Sequence, residues 1–225
     1  AGAGFETFLV TEDDKPYKIR YGKVIRKEVT FPDSPASTTV FHAQLFADTF
    51  QRSALGSKWV PISGRTAIFT NTSPKPKGVG NNYTLLYNAS SIRYFRPLAG
   101  DSSKSAVTLL NPGAGKTTVI ICADQGFTSF LGMQFDTTGA DKLRIVTGTG
   151  PTAMTSQAQA SVTIADYDRY MLFYDSLTNT ANVYKGDDLT PVLSWTDTRL
   201  ILPHGPGYRY VGFAWQASLL TTGPQ

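Results

Sequence analysis

The stretch "NPGAGKTTVI", residues 111–120, sets Gly115, Lys116 and Thr117 in the order used by phosphate-binding loops. Such a loop also needs a glycine five positions before its Gly-Lys pair, to open the turn whose backbone N–H groups wrap the phosphates. Position 110 is Leu110. The loop must run on into a helix, yet the sequence continues as the β-branched "TTVIICA", which favours a strand. The spacing therefore predicts a strand-turn-strand hairpin, with Pro112 and the glycines in the turn and Lys116 solvated at its end. No nucleotide cofactor is expected.

Other chemistry is equally thin. Asp166 and Asp168 in "ADYDRY" are the close carboxylate pair set in strand-like sequence, and the glutamates are confined to Glu6, Glu12 and Glu28. A retaining glycosidase needs two carboxyl groups about 5–5.5 Å apart. No Gly-x-Ser-x-Gly elbow is present. His42 and His204 lie far apart, and Cys122 is the one cysteine, so no zinc set is spelled out and no intrachain disulfide can form. Cys122 sits in an apolar run and reads as a buried, inert thiol. Asp187 and Asp188 in "KGDDLTP" offer too few oxygen ligands in series for calcium and read as a turn. No catalytic residue and no metal site is predicted. Trp and Tyr either stack on sugar rings from an exposed face or alternate into the core, and Tyr83, Tyr87 and Tyr94, in or beside stretches rich in Asn and Ser, are the aromatics to test first for carbohydrate binding.

The elements that must hold these residues are strands. The chain has 225 residues, 41% of them hydrophobic and 12% aromatic, enough to bury a core. Runs such as "TAIFTN", "YTLLYN", "SIRYFRPL", "SFLGMQF", "KLRIVTG" and "YMLFYDS" recur at intervals of roughly 10–15 residues, divided by Gly, Pro, Asn and Asp. That is the rhythm of an antiparallel sandwich. "FYDSLTNTANVYKGDDLTPVLSW" reads as hairpins, and no window of helical period is long enough for more than a turn or two of helix. "YKIRYGKVIRKEVTF" reads as long half-exposed strands, and the prolines of "FPDSPAS" separate it from the strand-rich remainder of the chain.

The net charge of +4 comes from 21 basic and 17 acidic residues interspersed without a block. This favours an anionic surface such as a cell-wall polymer over nucleic acid. No stretch approaches the roughly 18 apolar residues of a membrane span. The start, "AGAGFETFLVTEDD", carries neither a Met nor a signal-peptide pattern, and the chain is expected to have been excised or processed.

Two segments resemble one known group. "FADTFQRSALGSKWV", residues 46–60, and "YDRYMLFYDSLTNTANVYKGDDLTPVLSWTDTRLILPHGPGYRYVGFAWQA", residues 167–217, are similar to the opening and closing motifs of concanavalin-like jelly-roll domains in minor tail proteins of actinobacteriophages. Asp48, Phe50, Arg52, Leu55, Gly56 and Trp59 match the first motif. Trp195, Asp197, Arg209 and Gly212 match the second. The resemblance implies an all-β, concanavalin-like antiparallel sandwich (jelly roll) over residues 41–225, carried on a β-rich N-terminal arm, residues 1–40, which attaches the domain and makes subunit contacts. The first and last strands would lie side by side, Arg52 and Arg209 would pair with Asp48 or Asp197, and Trp59 and Trp195 would cap the core.

Catalytic members of glucanase-type jelly rolls carry a Glu-x-Asp-x-x-Glu strand, which this sequence lacks. The resemblance thus implies a non-catalytic structural protein of the virion tail that contacts host cell-wall glycan or a surface receptor. It would assemble as a homotrimer with other tail proteins, without nucleic acid or membrane insertion. The alternative is a depolymerase of host wall polysaccharide.

Overall fold

A computed structural model of the protein describes residues 7–10, 16–19, 48, 56–70, 82–109 and 115–217, with side chains described for 48, 56–64, 90–109 and 115–216. The chain divides into two units, residues 1–47 and 48–225. In the first, β1 (Thr7–Val10) and β2 (Pro16–Ile19) pair antiparallel. The remainder of the long strands expected over residues 17–31 lies outside the described residues.

The second unit is an antiparallel β-sandwich of jelly-roll type. Its strands are β3 (Trp59–Thr70), β4 (Asn82–Tyr94), β5 (Ser103–Thr108), β6 (Gly115–Ala123), β7 (Phe130–Asp136), β8 (Lys142–Gly148), β9 (Met154–Ser161), β10 (Arg169–Asp175), β11 (Thr180–Lys185), β12 (Leu193–Thr196) and β13 (Tyr210–Ala217). Seven form one sheet in the order β3-β4-β13-β6-β7-β8-β9, and four form the other in the order β12-β11-β10-β5. The described helical structure is one 3-10 turn, Pro206–Tyr208.

The core lies between the sheets. Alternate residues of the larger sheet, Val119, Ile121, Leu131, Met133, Phe135, Leu143 and Ile145, meet Tyr170, Leu172, Tyr174, Ala181 and Val183 of the smaller one. Phe135 and Tyr170 touch edge to face across the gap, with ring centroids 5.0 Å apart.

Several expectations are corrected. β5 and β6 form no hairpin: β5 pairs with β10, whereas β6 pairs with β13 and β7. The residues around Pro112 lie outside the described ones, and the strands that flank them belong to different sheets. "YTLLYN" and "SIRYFRPL" merge into β4, because Asn88-Ala89-Ser90 between them contains no glycine or proline to stop a strand. β3 likewise extends back through Pro61 and Gly64, where the register shifts twice and Gly64 takes φ +68°. β4 separates β3 from β13, so the first and last strands of the sandwich are one strand apart.

The two matched motifs still meet, through packing. The Trp59 ring lies 5.4 Å from Phe213 and 6.1 Å from Tyr94, and its indole N–H donates to Asp48 Oδ2 at 2.6 Å. Gly212 follows a register shift against β6, at a place where a Cβ would press on the Ile92 carbonyl and sit 2.7 Å from Phe127. Gly212→Ala is therefore expected to cost about 1–3 kcal/mol through overpacking. Thermal unfolding reads this as a lowered midpoint, and an unchanged midpoint would contradict it.

Candidate functional site

A strand sends successive side chains to opposite faces. Since β6–β9 give one face to the core, their other face must carry what remains. On β6 this is Lys116, Thr118 and Ile120, and on β7 it is Phe130, Gly132, Gln134 and Asp136. β8 contributes Lys142, Arg144 and Val146, and β9 contributes Met154 and Ser156. One end of this outer face is apolar, where Ile120, Ala123, Phe127, Phe130 and Ala214 cluster. The other end is polar and forms the site.

Gln134 and Asp136 lie in the polar floor at 4% and 5% exposure, and such groups persist only when hydrogen-bonded. Gln134 Nε2 donates to Thr118 Oγ1 at 3.2 Å and to Met154 Sδ at 3.2 Å, while its Oε1 accepts from Arg144 Nη1 at 3.1 Å. Arg144 Nη1 also reaches Asp136 Oδ2 at 2.6 Å, and Lys116 Nζ lies 3.7 Å from the same oxygen. Asp136 Oδ1 accepts from the Thr138 amide at 3.1 Å and hydroxyl at 2.6 Å. Burial by itself raises the Asp136 carboxyl, but Thr138, then Lys116 and Arg144, outweigh it and hold the group below its ordinary value.

Above this floor is an open cleft of about 110 Å³ lined by Lys116, Gln134, Arg144, Val146, Thr152, Met154, Ser156 and Gln216. The Gln216 amide donates to the Pro151 carbonyl, tying the end of β13 to the β8–β9 loop that walls the cleft. The volume lies below the roughly 300 Å³ of a pocket that encloses a drug-sized ligand. The cleft suits a polar substituent projecting from a larger molecule that rests on the sheet, with the half-buried Met154 as its apolar contact.

The residues singled out from sequence fall elsewhere. Tyr94 is 7% exposed and packs against Trp59 and Phe95, so it belongs to the core and is no stacking platform. Tyr83 and Tyr87 sit within β4, opposite Phe69 and Arg65, instead of in a loop, and their side chains lie outside the described residues. Phe50, Arg52 and Leu55 also lie outside them. Arg209 pairs with Asp101 at 2.7 Å and donates to the Ala99 carbonyl, so its expected pairing with Asp48 or Asp197 is not made. Asp48 serves Trp59, and Asp197, 2% exposed, accepts the Leu202 amide at 2.8 Å. Trp195 is half-buried and packs on the inter-sheet core from the smaller sheet, away from Trp59.

Asp166 and Asp168 lie in the turn before β10, where Tyr167 takes φ +67°. Asp168 binds Lys185 at 2.8 Å and the Ala165 amide at 2.9 Å. Its carboxyl, raised by burial, is brought below the ordinary value chiefly by Lys185. Cys122 is buried, and desolvation pushes its thiol up, against nucleophilic use. Lys116, expected to be solvated, is drawn into the floor. The signal that marks the site in the sequence is the polar alternation of "GMQFD" and "KLRIV", where Gln134, Asp136, Lys142 and Arg144 interrupt apolar runs.

No family model and no curated protein matches the sequence. Solved structures with a similar arrangement include a carbohydrate binding module from Bacillus subtilis, at 13% identity over 74% of this chain and 93% of that one, with a TM-score of 0.45. A legume lectin-like domain from Entamoeba histolytica is 12% identical over 75% and 83%, with a TM-score of 0.46. A beta-1,3-1,4-glucanase derived from a mouse hindgut metagenome is 11% identical over 73% and 93%, with a TM-score of 0.33. Nothing about a ligand or an activity follows from likenesses of this size.

The floor makes an acid-sensitive prediction. A carboxyl depressed in the folded state stabilises the fold above the unfolded value of about 3.9, and this contribution is lost as pH falls through the lower folded value. Asp136→Asn is therefore expected to be less stable than the parent by about 2 kcal/mol at neutral pH, with the gap closing below about pH 4. Urea unfolding across pH measures it, and a gap constant down to the acid limb would contradict the assignment.

Proposed function

We propose that the sandwich is a non-catalytic, lectin-like glycan-binding domain of a phage minor tail protein, set against the host cell surface. The arm over residues 1–40 attaches it to its neighbours in the tail, and the subunits form a homotrimer. The tail assignment draws its support from the sequence motifs around Asp48–Trp59 and Trp195–Gly212, whose Trp59–Asp48 bond and close-packed Gly212 have a clear packing role.

The observation that carries the binding reading is the satisfied polar floor Thr118–Gln134–Arg144–Asp136 beneath an open cleft. Gln134 and Arg144 are oriented by their strand neighbours, so a ligand hydroxyl or carbonyl meets groups already in place and little ordering entropy is lost on binding. The rest of the outer face would then support the chain of sugars from which one substituent enters the cleft.

The same floor favours binding over hydrolysis. A retaining or inverting glycosidase needs two carboxyl groups across the scissile bond, one of them raised so that it donates a proton. The cleft is lined by no carboxylate among the described residues, and Asp136, in the floor beside it, is pushed the other way by its surroundings.

Incubation with host wall polysaccharide is expected to retain the polymer without releasing oligosaccharide. Ser156, exposed at the rim of the cleft, allows a test that spares the core. Ser156→Tyr is expected to weaken retention about tenfold or more, with an unchanged circular dichroism spectrum. Retention by the blocked variant at the parent level would sink the cleft assignment. Oligosaccharide release abolished by Asp166→Asn or Asp168→Asn would establish the depolymerase instead.

A further inference from the structure

The charge on the outer face is lopsided. In the strand register, Asp136 stands between Lys116 of β6 and Lys142 of β8, and Arg144 lies two residues further along β8 on the same face. Across β13, Arg93 of β4 stands on this face as well, its guanidinium 4.4 Å from the Tyr210 ring centroid. Asp136 is the one acidic side chain that these strands turn outward among the described residues. Loop carboxylates nearby are committed elsewhere: Asp124 accepts from Thr128 and Ser129, and Asp141 accepts the Ile164 amide.

Asp136 is also well occupied. Oδ1 accepts twice from Thr138 and Oδ2 is taken by Arg144 at 2.6 Å, while Lys116, 3.7 Å from Oδ2, is a Coulombic neighbour beyond hydrogen-bond distance. One carboxylate thus answers a floor bearing Arg144 and two lysines. Lys116 retains 32% of its side-chain exposure, so its ammonium borders the cleft. Thr152, Ser156 and Gln216 add neutral polar groups around it, and the half-buried Met154 adds apolar surface that a sugar ring would cover. A neutral sugar would leave the excess positive charge partly desolvated and unanswered, which is costly. An anionic substituent would take charge-assisted hydrogen bonds from it.

We infer that the cleft selects glycans bearing an anionic group, a carboxylate or a phosphate, seated on Lys116 with its sugar ring against Met154, while Lys142, across Asp136 in the strand register, adds to the positive field. This rests on the glycan-binding reading above and narrows it to the acidic class. Lys116 makes the discriminating contact and Lys142 reinforces it through its charge; Arg144 is held by Asp136 and positions the floor.

The test is calorimetric titration of the full chain at low and high salt with polygalacturonate, alginate and a poly(glycerol phosphate), each uronate polymer paired with its carboxyl-reduced, neutral counterpart. At least one acidic polymer is expected to bind about tenfold or more tightly than its neutral counterpart or than a neutral galactan, with the preference eroded by salt. Preference for the uronates or for the phosphate polymer identifies the source of the anion. The double variant Lys116→Gln, Lys142→Gln, with Asp136, Arg144 and Gln134 intact, is expected to lose the preference while keeping the parent's unfolding midpoint within a few degrees. Neutral polymers bound as tightly as acidic ones, or a double variant that keeps the preference, would overturn the inference. Binding of neutral polymers only would overturn it and leave the glycan-binding reading standing, whereas no binding of either kind would remove both.

Discussion

A sheet has two faces, and in this sandwich the strands β6–β9 have a hydrophobic partner for only one of them. The second sheet supplies Tyr170, Leu172, Tyr174, Ala181 and Val183 against the inward residues of β6–β8, and this pairing fixes which residues point the other way. A register slip of one residue would put Gln134, Asp136 and Arg144 into the core and Met133, Phe135 and Ile145 into water. The burial of Phe135 against Tyr170 is thus the constraint that holds the polar floor in place. The site is a consequence of how the core is closed.

Given that constraint, the floor has to solve its own electrostatics. A carboxylate that is 5% exposed needs partners, and Asp136 finds them on three neighbours: Arg144 on β8, Lys116 on β6 and Thr138 just past its own strand. Arg144 in turn orients Gln134, which reaches Thr118 and Met154. The chain of contacts runs across four adjacent strands and stiffens them. Gly132 lies within this weave, where a Cβ would come 2.6 Å from Thr118 and 3.2 Å from Val146, so its absence lets those side chains close over the sheet. Rigidity and excess cationic charge come from the same residues, and both suit the proposed recognition of an acidic polymer.

The all-β class is readable because it depends on local signals: β-branched and aromatic runs, regular breakers, and the lack of helical period. The fate of "NPGAGKTTVI" shows where such reading stops. Leu110 and the β-branched run after Lys116 suffice to reject a phosphate loop, and β6 is indeed a strand. That β5 and β6 go to different sheets depends on β10 and β13, distant in sequence, and no local signal carries it. For the same reason Lys116 reads as a solvated turn lysine when Asp136 is its neighbour in space. The Asn- and Ser-rich surroundings of Tyr94 suggest sugar stacking, but alternation along β4 turns it onto Trp59. Arg209 and Asp101 are separated by 108 positions and meet only once the loops at that end have folded. The period-2 polar pattern of β7 and β8 is visible in the sequence, and it acquires meaning only when one face is known to be covered.

The three methionines offer a direct measurement, because each reports a different environment. Met133 is in the inter-sheet core and Met154 lines the cleft, while Met171, on β10 between the buried Tyr170 and Leu172, faces outward from the smaller sheet. Carbon-13 methyl spectra of the methionine-labelled protein, recorded during titration with an acidic oligosaccharide, separate the three surfaces. The account predicts that the Met154 resonance shifts saturably while Met133 and Met171 hold still. A saturable shift at Met171 with Met154 unmoved would place the ligand on the other sheet and contradict it.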